Sequence, residues 1–147
     1  MELTLNQALQ KGIAAHQAGK FEEADRYYTS ILQVQPNHPD ANHNLGLIAF
    51  TTGKIKPALL LFKTAVETNP RIEQFWISYI SALIRDKQFE NAKHFIERGR
   101  KQGVAGEKLN ANSFLFFWSN GKPLHRQNVK TTDFKIFKEL GWLQRLG

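Results

Sequence analysis

Small and large apolar residues return along this chain at a fixed interval. Ala24, Ala58 and Ala92 stand 34 residues apart, and each is followed four positions later by a large side chain, Tyr28, Phe62 or Ile96. Each alanine also follows a turn-like segment, read as Gly19-Lys20-Phe21, Gly53-Lys54-Ile55 and Asp86-Lys87-Gln88-Phe89. Gly12 and Gly46, again one period apart, lie on a face otherwise made of Leu, Ile and Ala. Four-residue steps inside a unit signal helices, and a period in the thirties signals helical hairpins stacked as an array. The spacing predicts first helices near 5–18, 39–52 and 73–86 and second helices near 21–34, 55–68 and 89–102.

Local chemistry agrees with those boundaries. Pro39 falls in a first helical turn, where its missing N–H would have had no partner, and Pro57 sits near a helix start for the same reason. Glu22 with Arg26 and Glu97 with Lys101 are acid-first pairs at four-residue spacing, which marks solvated helix faces. The glycines and alanines let two helix backbones approach more closely than bulkier side chains would. A volume exchange is expected between Gly12 and Ile31, Gly46 and Ala65, and Ile80 and Gly99, because one partner in each pair is small.

These positions resemble the tetratricopeptide repeat family, whose unit runs W-x2-L-G-x2-Y, then A-x3-F, then P. Units at 5–38, 39–72 and 73–106 fit it. Leu45, Gly46, Ala58, Phe62, Ala65 and Pro70 match in the second unit, and Gly12, Ala24, Tyr28 and Pro36 in the first. The third keeps Trp76, Ala92 and an apolar Ile96 but has Ile80 in place of the small residue and Val104 in place of the proline. The resemblance implies an all-α fold, a right-handed superhelical array of antiparallel helix pairs closed by a C-terminal capping segment. Domain organisation follows: three repeats over 1–106, then a capping helix, linker and short amphipathic helix over 107–147.

Terminal repeats need a cap because their outer apolar face has no neighbour. Phe114, Phe116, Phe117 and Trp118 are too apolar for an ordinary exposed cap, so they either fold back on the array or form a surface for self-association. Ser119 to Pro123 is a stop signal, and Phe134, Phe137, Leu140 and Leu143 repeat at roughly helical spacing after a Thr132 N-cap.

Composition narrows the function. The chain has 147 residues, 41% hydrophobic, enough for one small array and no signature of disorder. Cysteine is absent, which removes disulfides, thiolate metal sites and cysteine nucleophiles. The start of the chain lacks a basic secretory leader, and no apolar run approaches the length of about 18 residues that crosses a bilayer, so a cytoplasmic location away from membranes is expected. Net charge is +7, with 13 basic and 10 acidic residues over 1–106 and 7 against 3 over 107–147. Arg98, Arg100 and Lys101 together with Lys108, Lys122, Arg126, Lys130, Phe117 and Trp118 give an alternative function, nucleic-acid binding through the basic aromatic C-terminal segment. That reading is disfavoured against a solvated basic surface, because no nucleic-acid motif accompanies the charge.

No catalytic constellation emerges. His16, His38, His43, His94 and His125 are scattered without metal-ligand spacing, Gly53-Lys54 lacks the rest of a phosphate loop, and no nucleophile elbow occurs. The expectation is a non-enzymatic protein-interaction scaffold without cofactor or metal.

Tetratricopeptide arrays hold partner peptides on the inner face of the first helices. Carried over by position, the resemblance implies a peptide site of Gln10, Ile13, His16 and Gln17 from the first unit, His43, Asn44, Leu47 and Phe50 from the second, and Ser78, Ser81 and Arg85 from the third. Arrays that clamp a C-terminal carboxylate need cations where this chain has Leu9, Ile13, Asn44, Gln74 and Ser78, so only Asn44 agrees. Arrays of O-linked N-acetylglucosamine transferases repeat an asparagine where this chain has Gln10, Asn44 and Ser78. The wording at Phe62 to Ala65, Ile72 to Trp76 and Ala105 to Asn110 resembles bacterial arrays that precede glycosyltransferase or sulfotransferase domains. A second alternative is therefore a shortened, substrate-recruiting relative of such enzymes.

Overall fold

The computed structural model describes residues 3–104. Six helices follow one another: α1 (Leu5–Gln17), α2 (Phe21–Val34), α3 (Pro39–Thr51), α4 (Ile55–Thr68), α5 (Glu73–Arg85) and α6 (Phe89–Lys101). No strand occurs among the described residues. The fold is an all-α solenoid of helix pairs. None of the described helices is long and apolar enough to cross a membrane. The expected boundary at 106/107, the segments beyond it and the cluster of Phe114, Phe116, Phe117 and Trp118 lie outside the described residues.

Two compact units divide the chain, Met1–Ala82 and Leu83–Gly147, a division inside α5 that the repeat register does not mark. In the first unit α1 packs on α2, α3 on α4 and α2 on α3, while α1 also touches α3. That order is what stacked hairpins require, since each new first helix must cover the apolar side of the pair before it. The core here gathers Ala8, Leu9, Ala15, Ala24, Tyr28, Ile31, Ala41 and Ile48, with Leu5, Ile13, Tyr27, Leu32 and Leu45 packed against it.

Helix ends explain why the elements stop where they do. Thr4 and Gln7 form a capping box at α1: the Gln7 N–H donates to Thr4 Oγ1 at 3.1 Å, and the Thr4 N–H donates to Gln7 Oε1 at 3.0 Å. At α3 the cap is His38, whose Nδ1 accepts the Ala41 N–H at 3.1 Å ahead of Pro39. The hairpin turns share one device. Lys20, Lys54 and Gln88 donate their N–H back to the carbonyls of Ala15, Ala49 and Leu83, and the residue before each is left-handed: Gly19 (φ 76°), Gly53 (φ 83°) and Lys87 (φ 61°). This turn returns the chain against its own helix and needs positive φ at one position, which glycine adopts freely and lysine adopts under strain.

Between hairpins the loops are locked by side chains at equivalent positions. Asn42 Nδ2 donates to the Pro36 carbonyl at 3.0 Å and the His38 carbonyl at 2.8 Å. One period later Trp76 Nε1 donates to the Pro70 carbonyl at 2.8 Å. An amide and an indole thus perform one task, satisfying a carbonyl that the helix ladder cannot reach.

The glycines act through close approach to an aromatic ring of the facing helix. A Cβ at Gly12 would stand 2.6 Å from the Tyr28 ring and 3.2 Å from Tyr27 Cβ, and one at Gly46 would stand 2.6 Å from the Phe62 ring. The small residue makes room for the aromatic ring four positions after the alanine. The third unit carries the corresponding change in sequence, with Ile80 for the glycine and the smaller Ile96 for the ring, and both are buried. In the second unit α6 buries Ala92, Ile96 and Gly99 and exposes most of its charged residues, with the Arg98 guanidinium 5.5 Å from the centre of the Phe95 ring.

Candidate functional site

The candidate residues of α1 and α3 fall one period apart, so Gln10 corresponds to Asn44, Ile13 to Leu47, His16 to Phe50 and Gln17 to Thr51. Gln10 and Gln17 are exposed, and Ile13, His16, Asn44, Leu47 and Phe50 are half-buried. Phe50 leans on Phe62, ring centres 6.3 Å apart, and His16 meets Phe21 edge-on at 5.6 Å. Exposed amides beside half-buried apolar side chains can hydrogen-bond a backbone and seat apolar groups at once. The unit that carries them is electrically balanced: residues 1–82 hold seven basic and seven acidic side chains, and residues 83–147 hold the whole net charge of +7.

Three of the expected ligands do not reach the surface. His43 and Ser78 are each 6% exposed and Ser81 is 7% exposed. His43 Nε2 and Ser78 Oγ lie 2.8 Å apart, with the imidazole between Phe75 at 4.8 Å and Phe62 at 5.5 Å. Their polar atoms satisfy one another across α3 and α5 rather than presenting themselves to a partner. Burial pushes the His43 pKa down to about 4, against a smaller upward pull from its bond with Asn44 and from the Asp40 charge. Arg85 is half-buried and belongs to the second unit.

A serine hydroxyl 2.8 Å from a histidine nitrogen has the spacing of a nucleophile and its base. The surroundings argue against that use: both groups are buried, and an imidazole with its pKa near 4 is a weak base. The pair is structural.

Tyr28 is the participant that sequence reasoning assigned only to packing. Its hydroxyl lies 3.4 Å from His16 Nδ1, so it joins α2 to α1. Burial raises the Tyr28 pKa, opposed by the Asn44 bond, and burial lowers that of His16. The signal lay in the repeat itself, since Phe62 and Ile96 at the equivalent positions carry no hydroxyl. A buried phenol that could have been phenylalanine asks for a partner.

The geometry defines a helical-repeat protein whose first unit carries equal numbers of acidic and basic side chains. Residues 15–76 match the family model of the tetratricopeptide repeat, so this part of the chain carries repeats of that kind. No curated protein matches it by sequence. Among solved structures it is similar to MamA of Desulfovibrio magneticus, with a TM-score of 0.71 and 18% identity over 97% of this chain and 76% of that one. It is also similar to the TPR2B domain of yeast Sti1 in a complex with pHsp70, with a TM-score of 0.69 and 15% identity over 78% of this chain and 97% of that one. A third is the Thermobaculum terrenum O-GlcNAc transferase, with a TM-score of 0.66 and 18% identity over 80% of this chain, which spans 23% of the enzyme's chain. At these identities the likeness is one of fold.

Proposed function

We propose that this chain is a non-enzymatic adaptor that holds an extended, uncharged segment of a partner protein across the face formed by α1 and α3. The observation that carries the reading is the pairing of Gln10 and Gln17 with the half-buried Asn44, Ile13, Leu47 and Phe50 in a unit of zero net charge. A peptide backbone offers N–H and C=O groups, and a side-chain amide matches both. Helix-borne ligands already in place keep the ordering cost of the receptor low. The TPR2B domain of Sti1 stands in a complex with pHsp70, but the cations of a carboxylate clamp are lacking here, so an internal segment fits better than a charged C-terminus.

The test is affinity capture from nuclease-treated lysate with the full chain and with a Gln10→Ala, Asn44→Ala double variant. Loss of the retained proteins with the variant is expected, and equal retention by both would overturn the reading. Residues 83–147 favour one second reading, an anionic partner such as nucleic acid, because they hold the entire net charge. Binding that weakens steeply with added salt would mark it.

A further inference from the structure

Charge is spread unevenly over the first unit. From residue 27 to residue 53, a run that takes in the end of α2 and all of α3, Asp40 is the sole aspartate, glutamate, lysine or arginine. The histidines of that run near α3 add no charge at neutral pH: His38 Nδ1 accepts the Ala41 N–H, and His43 is buried with its pKa near 4. Whatever meets α3 therefore meets a single fixed negative charge.

That charge stands on the proposed peptide face. Residues 40, 44, 47 and 51 recur at steps of three and four and so share one side of the helix. Asp40 and Thr51 are exposed at the ends of this row, and Asn44 and Leu47 are half-buried between them. Among the described residues no hydrogen bond or ion pair holds the Asp40 carboxylate. The next basic residues along the chain, Arg26 and Lys54, lie outside α3, and Lys11 of α1 takes the place of Leu45, off the row of Gln10 and Ile13. The helix dipole favours an acid in the first turn, yet the equivalent positions of α1 and α5 hold Asn6 and Gln74, and α1 begins without any acid. The repeat itself does not require a carboxylate at this place.

We propose that the partner segment carries a lysine or arginine bordering its uncharged stretch, and that Asp40 is the residue that selects it. Asp40 lies one turn, about 6 Å, along the helix from Asn44. A partner backbone bonded to the Asn44 amide brings its neighbouring side chains within a turn of the carboxylate, and lysine and arginine carry their charge at the end of a long apolar stem that can cross that gap. An acidic residue in the same place would meet a like charge, so the contact sorts partners as well as holding them. This rests on the reading of the α1 and α3 face as a peptide site and adds a charge rule to it.

The experiment selects a phage-displayed random dodecapeptide library on the full chain and on its Asp40→Asn and Asp40→Lys variants. Equal helical circular dichroism of the three keeps folding out of the comparison. Peptides enriched on the unsubstituted chain should carry one Lys or Arg at a fixed offset from an uncharged stretch. Those enriched on Asp40→Lys should carry Asp or Glu there, and those on Asp40→Asn should show no charge preference. The best peptide should bind Asp40→Asn about fivefold more weakly at low salt, and the difference should shrink in 1 M salt, where screening acts within about 3 Å. The same charge pattern selected by the unsubstituted chain and by Asp40→Lys would overturn the role of Asp40. Peptides that follow the charge at residue 40 but bind Asn44→Ala and Leu47→Ala undiminished would overturn the face while upholding Asp40 as the selector. A library that yields no enriched peptide on the unsubstituted chain would overturn both.

Discussion

Helices α3 and α5 occupy the same place in successive repeats and are each 13 residues long, yet they meet their surroundings differently. In α3, Ala41, Asn42, His43, Gly46, Ile48 and Ala49 are buried, while Asn44, Leu45, Leu47 and Phe50 keep part of their surface. In α5 every residue from Phe75 to Ile84 is buried, and Ser78 and Ser81 are the polar members of that run. A helix apolar all round belongs in an interior, whereas one with a mixed side can serve a partner. The difference locates the candidate site on α1 and α3, and it explains why two serines carried over by repeat position became interior groups.

The largest effect should come from the locks between hairpins. Trp76→Ala removes a fully buried indole and its bond to the Pro70 carbonyl, and should cost about 4 kcal/mol. Asn42→Ala, at the equivalent position of α3, loses hydrogen bonds with little volume and should cost about 1 to 2 kcal/mol. Urea unfolding of both variants would test this, and equal costs would remove the distinction drawn between the two helices.

Acid should act next. The His43 pKa is near 4 in the folded chain against 6.5 when unfolded, so the unfolded chain binds the proton first as pH falls. His43 thus contributes stability that is complete above pH 6.5, declines toward pH 4 and is gone below it, a change on the order of 3 kcal/mol. His16, also lowered, has the same sign. Unfolding free energies measured between pH 7 and pH 4 should fall, and His43→Gln should flatten the slope. A slope unaltered by that substitution would place the sensitive group elsewhere.

Gly46→Ala should be destabilising by about 2 kcal/mol, because the new methyl group would stand 2.6 Å from the Phe62 ring. Pairing it with Phe62→Leu should recover part of the loss if ring and glycine are the exchanging partners. No recovery would return the exchange to other residues. The smallest effect has the opposite sign. Lys87 holds φ at 61° where Gly19 and Gly53 stand in the earlier turns, so Lys87→Gly should raise stability by about 1 kcal/mol. A loss there would mean that the lysine side chain supports the turn.

Most of the described fold was legible from spacing. The helix starts at 5, 21, 39, 55, 73 and 89 agree with those read from the repeats, since turn residues and helical periodicity are local properties. The capping box at Thr4 and Gln7 carried the same kind of signal. Less of the candidate site was legible. Repeat position fixes where a residue sits on its own helix, and so Gln10 and Gln17 are exposed as a binding role would need. It does not fix what a neighbouring helix brings against that residue. Phe75 and Ser78 come against His43 from the next hairpin, and the hydroxyl of Tyr28 meets His16.

The sequence by itself determined the repeat length, the all-α class, the turn positions and the absence of cationic side chains at the clamp positions, because each depends on residues close together in the chain. The tertiary structure alone decided which polar groups face outward and which satisfy one another. Desolvation and hydrogen bonding act between residues brought together by packing, and a side chain's neighbours across a helix interface carry no fixed distance along the chain.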